Sequence, residues 1–160
     1  MTRSFLNLIS LCLIALIIVS CTTTYAFSDK EEFTAISTNI NSFLDKKNSE
    51  LSQNKEGAKL QNSIASDLDG DGIKEIIFVW TLIGPTYWQN NLTVLTKPKD
   101  SYEHAYTVQL IGEARVKNTD YNIITLQQKL FADSDPRCCP SIEKDVQYLW
   151  ENNEITKIRD

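Results

Sequence analysis

The stretch Ile73-Lys74-Glu75-Ile76-Ile77-Phe78-Val79-Trp80-Thr81-Leu82-Ile83 is almost continuously apolar or β-branched. Successive side chains of a β-strand point to opposite faces of the sheet, so a run of this kind predicts a strand that is buried on both faces. Gly84 and Pro85 follow directly and predict the end of this strand. The segment therefore predicts the central strand of the fold.

Six further strands are predicted after Gly84 and Pro85. Their apolar and aromatic residues alternate or cluster over short segments, and clusters of Pro, Asn and Asp separate them. The predicted segments are Tyr87–Thr96, Tyr102–Leu110, Ala114–Lys117, Tyr121–Phe131, Val146–Trp150 and Ile155–Ile158. Connections this short predict antiparallel pairing.

One amphipathic helix is predicted near residues 29–47, before the strands. Ser28 and Glu31 have the spacing of a capping box. Apolar residues then recur at helical spacing: Phe33, Ile36, Ile40, Phe43 and Leu44. The polar residues 48–57 predict a loop. The fold class is therefore α+β, with one N-terminal amphipathic helix packed on an antiparallel sheet of about six strands.

The first residues of the chain have the composition of a targeting signal. Arg3 precedes a 15-residue run, Phe5–Val19, which is interrupted only by two polar residues. A helix that crosses a bilayer needs about 20 apolar residues, so this run fits the core of a signal peptide better than an anchor. The segment is accordingly left out of the fold, and residues 28–160 are predicted to form a single domain.

Two processing routes are compatible with this signal. Ile18-Val19-Ser20-Cys21 resembles a bacterial lipobox, which predicts a signal peptide of residues 1–20 and lipidation of Cys21. Thr24-Tyr25-Ala26 fits an ordinary cleavage site, which predicts removal of residues 1–26. The first route places the protein at the bacterial cell envelope, facing the periplasm or the exterior and held to the membrane only by its lipid. The second route predicts a soluble periplasmic or secreted protein.

The segment Asp67-Leu68-Asp69-Gly70-Asp71-Gly72-Ile73-Lys74-Glu75 predicts a calcium site. Its carboxylates stand at positions 1, 3, 5 and 9, and calcium takes six to eight oxygen ligands. The predicted ligands are Asp67, Asp69, Asp71, Glu75 and the main-chain carbonyl of Ile73. Position 12 is Phe78, so the segment is not an EF-hand, and it resembles instead the acidic loops of FG-GAP or VCBS-type repeats. The alternative is an acidic hairpin turn without a metal.

Cys138 and Cys139 are adjacent, and both processing routes leave them as the only thiols of the mature chain. Outside the cytoplasm they are expected to be oxidised. A disulfide between neighbours closes almost no loop, so we expect it to stiffen a turn between Pro136 and Pro140 rather than to add stability through chain entropy. The alternative is a redox or soft-metal site, but no C-x-x-C spacing accompanies it.

With the acidic loop and the segment Asp135-Pro136-Arg137-Cys138-Cys139-Pro140-Ser141 in view, the chain resembles LppP/LprE-type bacterial lipoproteins and related envelope proteins. The shared features are a lipoprotein signal, the acidic loop before a hydrophobic strand, the D-x-x-C-C-P-S segment and a final aromatic strand. The resemblance covers most of residues 60–158 and leaves out the helix. It implies location and architecture, and it implies no activity.

The remaining composition narrows the function classes. The formal net charge of −5 disfavours nucleic acid as a partner, since phosphate binding needs a basic surface. His104 lies in an alternating strand, where a packing or hydrogen-bonding role is expected. We expect the aromatic residues of the strands to be core residues rather than a binding face; they are Trp80, Trp88, Trp150, Tyr87 and Tyr148.

Two functions follow from these features. The first is a non-catalytic envelope lipoprotein, a binding or interaction module that calcium stabilises. The alternative is a small hydrolase or thiol redox protein that uses the acidic loop or the Cys138–Cys139 pair. The scarcity of acid–base partners favours the first. Neither the acidic loop nor the Cys138–Cys139 pair identifies a protein or small-molecule partner.

Overall fold

The computed structural model describes residues 30–136 and 139–159. The chain divides into two compact units, Met1–Thr38 and Asn39–Asp160. The described part of the first unit, residues 30–38, is helical. The second unit holds the rest of this helix, which we call α1 (residues 30–51), a short 3-10 turn at Ser52–Asn54, and all the strands described.

The predicted helix is confirmed, although it continues to residue 51, into a segment predicted as a loop. Residue 30, the first of the described residues, is already helical, and the helix is not at the N-terminus of the chain. The capping box cannot be compared, because Ser28 lies outside the described residues. Ile40 and Leu44 are buried as the apolar stripe predicts, whereas Phe33 is 72% exposed.

The described residues form eight strands in two antiparallel sheets of four, with the orders β1-β2-β3-β4 and β5-β6-β7-β8. Their bounds are β1 Gly57–Ser66, β2 Glu75–Ile83, β3 Trp88–Thr96, β4 Glu103–Gln109, β5 Glu113–Asp120, β6 Ile123–Leu130, β7 Ile142–Glu151 and β8 Glu154–Arg159. The α+β class is confirmed, and the expectation of one sheet with about six strands is wrong. Alternation along a strand shows which side chains face a core, but not which sheet the strand joins.

Strand β1 was missed, and β5 is twice as long as predicted. β1 has few apolar residues, and most of its side chains are only half-buried. Its pairing with β2 shifts register between Leu60 and Asn62, and β5 shifts register between Val116 and Asn118. These irregularities break the alternation by which strands are recognised in a sequence.

The two irregularities meet at one point, where an edge of the first sheet lies against an edge of the second. The Asn62 amide donates to the Val116 carbonyl over 2.8 Å and accepts from the Val116 N–H over 3.0 Å. The side chain therefore satisfies both main-chain groups of an edge residue, as a neighbouring strand would. This contact joins the two sheets at a corner.

Strand β2 has the double-sided burial that the sequence predicts. Ile77 and Val79 belong to an apolar cluster between the two sheets, together with Leu126 and Val146 of the second sheet. Phe78, one position further along the strand, lies on the other face, where its ring meets that of Phe43 of α1 at 5.3 Å between centroids. Within the second unit, the first sheet is thus covered by the second sheet on one face and by the part of α1 from residue 39 onward on the other. Within the described residues, no helix is long and apolar enough to cross a membrane.

Candidate functional site

The acidic loop connects β1 to β2. Ser66 and Glu75 pair at its base, and Gly70 and Gly72 adopt positive φ values of 80° and 84°. Such conformations are costly for residues with a Cβ atom, which explains the two glycines in so short a segment. The loop therefore leaves a rigid strand pair and returns to it within eight residues, from position 67 to position 74.

Three of the predicted calcium ligands lie together. Asp67, Asp69 and Asp71 each offer a carboxylate oxygen, and these oxygens lie within 4.8 Å of one another. Asp67 is half-buried, whereas the other two are exposed. Carboxylates at such separations repel one another unless hydrogen bonds or a cation compensate their charge.

Main-chain N–H groups of the loop supply part of this compensation. Asp67 accepts from Gly70 over 2.7 Å with one oxygen and from Gly72 over 2.9 Å with the other. The N–H of Asp71 donates to Asp69 over 3.1 Å, and the N–H of Ile73 donates to Asp71 over 2.7 Å. Turns of this kind are typical of Asp in tight loops. They hold the three carboxylates in place on one side of the loop.

Glu75 has a different place from the three aspartates. It is not among the described carboxylates that converge, and it is almost fully buried at the start of β2, where it accepts the Leu68 N–H over 2.8 Å. Burial raises the pKa of Glu75, and the nearby Asp69 and Asp71 raise it further, against the hydrogen bond from Leu68. Glu75 thus fixes the base of the loop, and its role as a metal ligand stays a prediction.

The other ligand predicted at this site was the main-chain carbonyl of Ile73. The side chain of Ile73 is 39% exposed, and its N–H group is held by Asp71. The ligand role of its carbonyl also stays a prediction.

Asp135, the first residue of the D-x-x-C-C-P-S segment, accepts hydrogen bonds from residues before and after the cysteines, a role that the sequence analysis did not predict. Asp135 accepts from the N–H of Ala132 over 2.7 Å and from the N–H and hydroxyl of Ser141 over 2.8 and 3.0 Å. These hydrogen bonds hold the pKa of Asp135 below its usual value. The spacing of an Asp and a Ser around the Cys–Pro turn was the available signal.

The cysteine predictions fall largely outside the described residues. Cys21 and Cys138 both lie there, so lipidation and the Cys138–Cys139 disulfide stay predictions. The described Cys139 donates its N–H to the carbonyl of Pro136 over 3.0 Å. The turn between Pro136 and Pro140 stays a prediction, because residues 137 and 138 lie outside the described residues.

The packing role of His104 is confirmed. Its Nε2 lies 2.8 Å from the Thr107 hydroxyl, and its ring stacks on Phe43 at 5.6 Å. Burial lowers the pKa of His104, and the positive charges of Lys47 and Lys46 lower it further. Both effects favour the neutral form of the imidazole.

The aromatic residues divide into two groups. Trp80, Trp150 and Tyr148 are buried core residues, as expected. Tyr87 and Trp88 are 48% and 45% exposed, so the expectation that they are core residues is wrong. Tyr87 directly precedes β3 and Trp88 is its first residue, so both lie at the exposed end of that strand.

Comparison with known proteins gives no relative. No family model matches the chain, and neither a curated protein nor a solved structure matches it.

Proposed function

We propose that this chain is a non-catalytic binding or interaction module of the bacterial cell envelope, attached to the membrane by a lipid on Cys21 and stabilised by calcium. The proposed calcium site is supported by the convergence of the Asp67, Asp69 and Asp71 carboxylates in the loop before β2. The lipoprotein signal carries the cellular location.

The physical argument for calcium is one of charge and ligand type. A divalent cation relieves the repulsion among three carboxylates, and calcium prefers oxygen ligands in irregular geometry. The hydrogen bonds within the loop fix the carboxylates before the ion binds, which lowers the entropic cost of binding. Main-chain carbonyls, water and Glu75 are available to complete the six to eight ligands that calcium takes. The ion would then brace the loop that leads into β2.

We expect calcium to raise the thermal unfolding midpoint of the full chain. A ligand that binds only the folded state stabilises it by about 2.7 kcal/mol at a free concentration of about 100 times its Kd. For a domain of this size that corresponds to roughly 5 to 15 °C. The measurement compares thermal unfolding in calcium with unfolding in chelator, using protein in a detergent without a sugar headgroup.

Two variants make this experiment specific. Asp71→Asn keeps the oxygen that accepts the Ile73 N–H but removes the charge, so the calcium-dependent rise should shrink or vanish. Asp100→Asn changes an exposed aspartate in the β3–β4 turn and should leave the rise unchanged. Equal midpoints in calcium and chelator, or a full rise in Asp71→Asn, would contradict the calcium site and leave the loop as a metal-free acidic turn.

We expect the lipid to decide where the protein is found in the cell. Wild-type protein should appear in the membrane fraction, with an N-terminal peptide that begins at a Cys21 carrying the mass of acyl chains. Cys21→Ala should lose that modification and leave the membrane fraction. Cys12→Ala, which changes a cysteine inside the signal, is the matched control and should behave as wild type. An unmodified N-terminus at Phe27 would instead support the cleavage site after Ala26.

A further inference from the structure

We propose that a polar groove beside Trp88 binds a neutral oligosaccharide. The groove has a volume of about 950 Å³ and is lined by residues of both sheets. It lies apart from the acidic loop, since none of Asp67, Asp69 and Asp71 lines it. The inference therefore does not rest on calcium binding.

The part of the groove formed by the first sheet includes two buried polar side chains. Thr81 is 7% exposed and Asn90 is 4% exposed, although both line the groove. Gln61 donates to the Thr81 hydroxyl over 2.7 Å, Thr81 donates to the Asn90 carbonyl oxygen, and the Asn90 amide donates to the main-chain carbonyl of Gly112 over 2.9 Å. Each of these side chains is held in one orientation by its neighbours. A floor of this kind is rigid and polar, which favours a ligand that carries many hydroxyl groups.

The part formed by the second sheet presents three planar groups in a row. The Nε of Arg115 donates to the Gln127 carbonyl oxygen over 2.6 Å, and the Gln127 amide donates to the Glu143 carboxylate. A guanidinium group has five N–H donors, and a carboxylate has two oxygen acceptors, so both keep capacity for a ligand. Planar groups with two donors or two acceptors match neighbouring hydroxyls, each of which donates and accepts a hydrogen bond.

An exposed indole completes the site. Trp88 lines the groove and is 45% exposed. Large aromatic side chains left open to water beside a polar groove are more typical of binding sites than of other surfaces. The apolar C–H face of a pyranose ring packs on the electron-rich face of an aromatic ring, while its hydroxyls point to the side. Trp88 next to the polar floor offers both halves of that arrangement.

The charge of the groove disfavours a polyanion. Among the residues that line it, Arg115, Lys117 and Lys129 are positive, whereas Glu113 and Glu143 are negative. Lys117 forms an ion pair with Asp145 at 2.5 Å, which offsets one of the positive charges. The mixed signs leave little net field to attract phosphate or sulfate groups. A neutral sugar fits this balance.

The test is a titration of the full chain with neutral trisaccharides, in which binding is detected by shifts of the indole signals in NMR spectra. The probes are triacetylchitotriose, cellotriose and maltotriose, and the detergent carries no sugar headgroup. We expect at least one probe to bind with a Kd of about 1 mM or tighter, as is typical of a small polar ligand on an open groove. Trp88→Ala should weaken that binding by about tenfold, and Arg115→Gln should weaken it as well.

Tyr121→Ala is the matched control, because Tyr121 is the most exposed aromatic described, at 79%, and does not line the groove. It should bind the probe as wild type does. The inference is overturned if none of the three sugars binds at about 10 mM. It is also overturned if Trp88→Ala binds with unchanged affinity, or if the control variant loses affinity to the same extent. Binding of heparin alone, lost on addition of salt, would identify a polyanion site instead.

Discussion

Phe43→Ala lowers the free energy of unfolding by about 3 kcal/mol, whereas Phe33→Ala on the same helix changes it by less than about 0.5 kcal/mol. The ring of Phe43 lies 5.3 Å from that of Phe78, 6.0 Å from that of Trp80 and 5.6 Å from that of His104. Phe43 is half-buried, so its removal leaves a gap where it packs on the first sheet and ends three ring contacts at once. Phe33 is 72% exposed, so its removal takes little apolar surface out of a packed environment.

Urea unfolding of both variants, followed by circular dichroism and by tryptophan fluorescence, measures this difference. A second readout is the pKa of His104 by NMR. His104 is exposed overall, and the desolvation of its ring where it stacks on Phe43 is the main cause of its lowered pKa. Phe43→Ala should therefore move the pKa of His104 up toward 6.5, whereas Phe33→Ala should not move it. Equal losses of stability in the two variants would show that the apolar stripe of α1 does not pack on the sheet through Phe43.

The central strand and the helix were predictable because their sequence patterns are strong and local. β2 is apolar at almost every position, so both of its faces had to be covered wherever it lay. The stripe of α1 recurs at helical spacing, and its middle residues Ile40 and Leu44 are buried. Phe33, which is 72% exposed, shows the limit of such patterns, because periodicity gives the face of a helix but not how far each residue on that face is buried.

The division into two sheets could not be predicted in the same way. Consecutive strands pair from β1 to β4 and again from β5 to β8, but β4 and β5 do not pair. No residue type marks a place where a chain leaves one sheet for another. The corner between the sheets depends on the Asn62–Val116 contact, which joins residues 54 positions apart and uses an amide that a sequence pattern treats as polar surface.

The candidate sites were predictable to different degrees. The acidic loop is local in sequence, so the convergence of Asp67, Asp69 and Asp71 followed from their spacing. The groove near Trp88 draws on strands that are far apart in the sequence, and its residues are separately unremarkable. Alternation placed Trp88 on a strand, and only the sheet geometry shows that this end of β3 extends past the core. A site assembled from strands that are distant in the sequence can be recognised only once the fold is known.

Gly112→Ala is expected to lower the free energy of unfolding by about 2 to 5 kcal/mol. Gly112 has a φ of 72°, and a Cβ atom there would lie 2.2 Å from the main-chain carbonyl oxygen of Lys129 and 3.0 Å from the Leu130 side chain. Main-chain atoms of a paired strand cannot move aside without breaking the ladder between β5 and β6. Gly112 also lies in the connection between the two sheets, where its carbonyl accepts the hydrogen bond from Asn90 that braces the groove.

Gly70→Ala separates the two causes of this loss, which are the left-handed backbone conformation and the close approach of the Cβ atom to Lys129. Gly70 has a similar φ of 80°, but a Cβ atom at this position meets nothing within 4 Å. Gly70→Ala should therefore lower the free energy of unfolding only by the cost of a left-handed conformation, about 1 to 2 kcal/mol. Both variants are compared by urea unfolding in chelator, so that calcium cannot contribute. If Gly112→Ala loses no more free energy of unfolding than Gly70→Ala, the connection between the sheets can shift away from Lys129. The close approach of Gly112 to Lys129 would then not be what fixes the two sheets at this end.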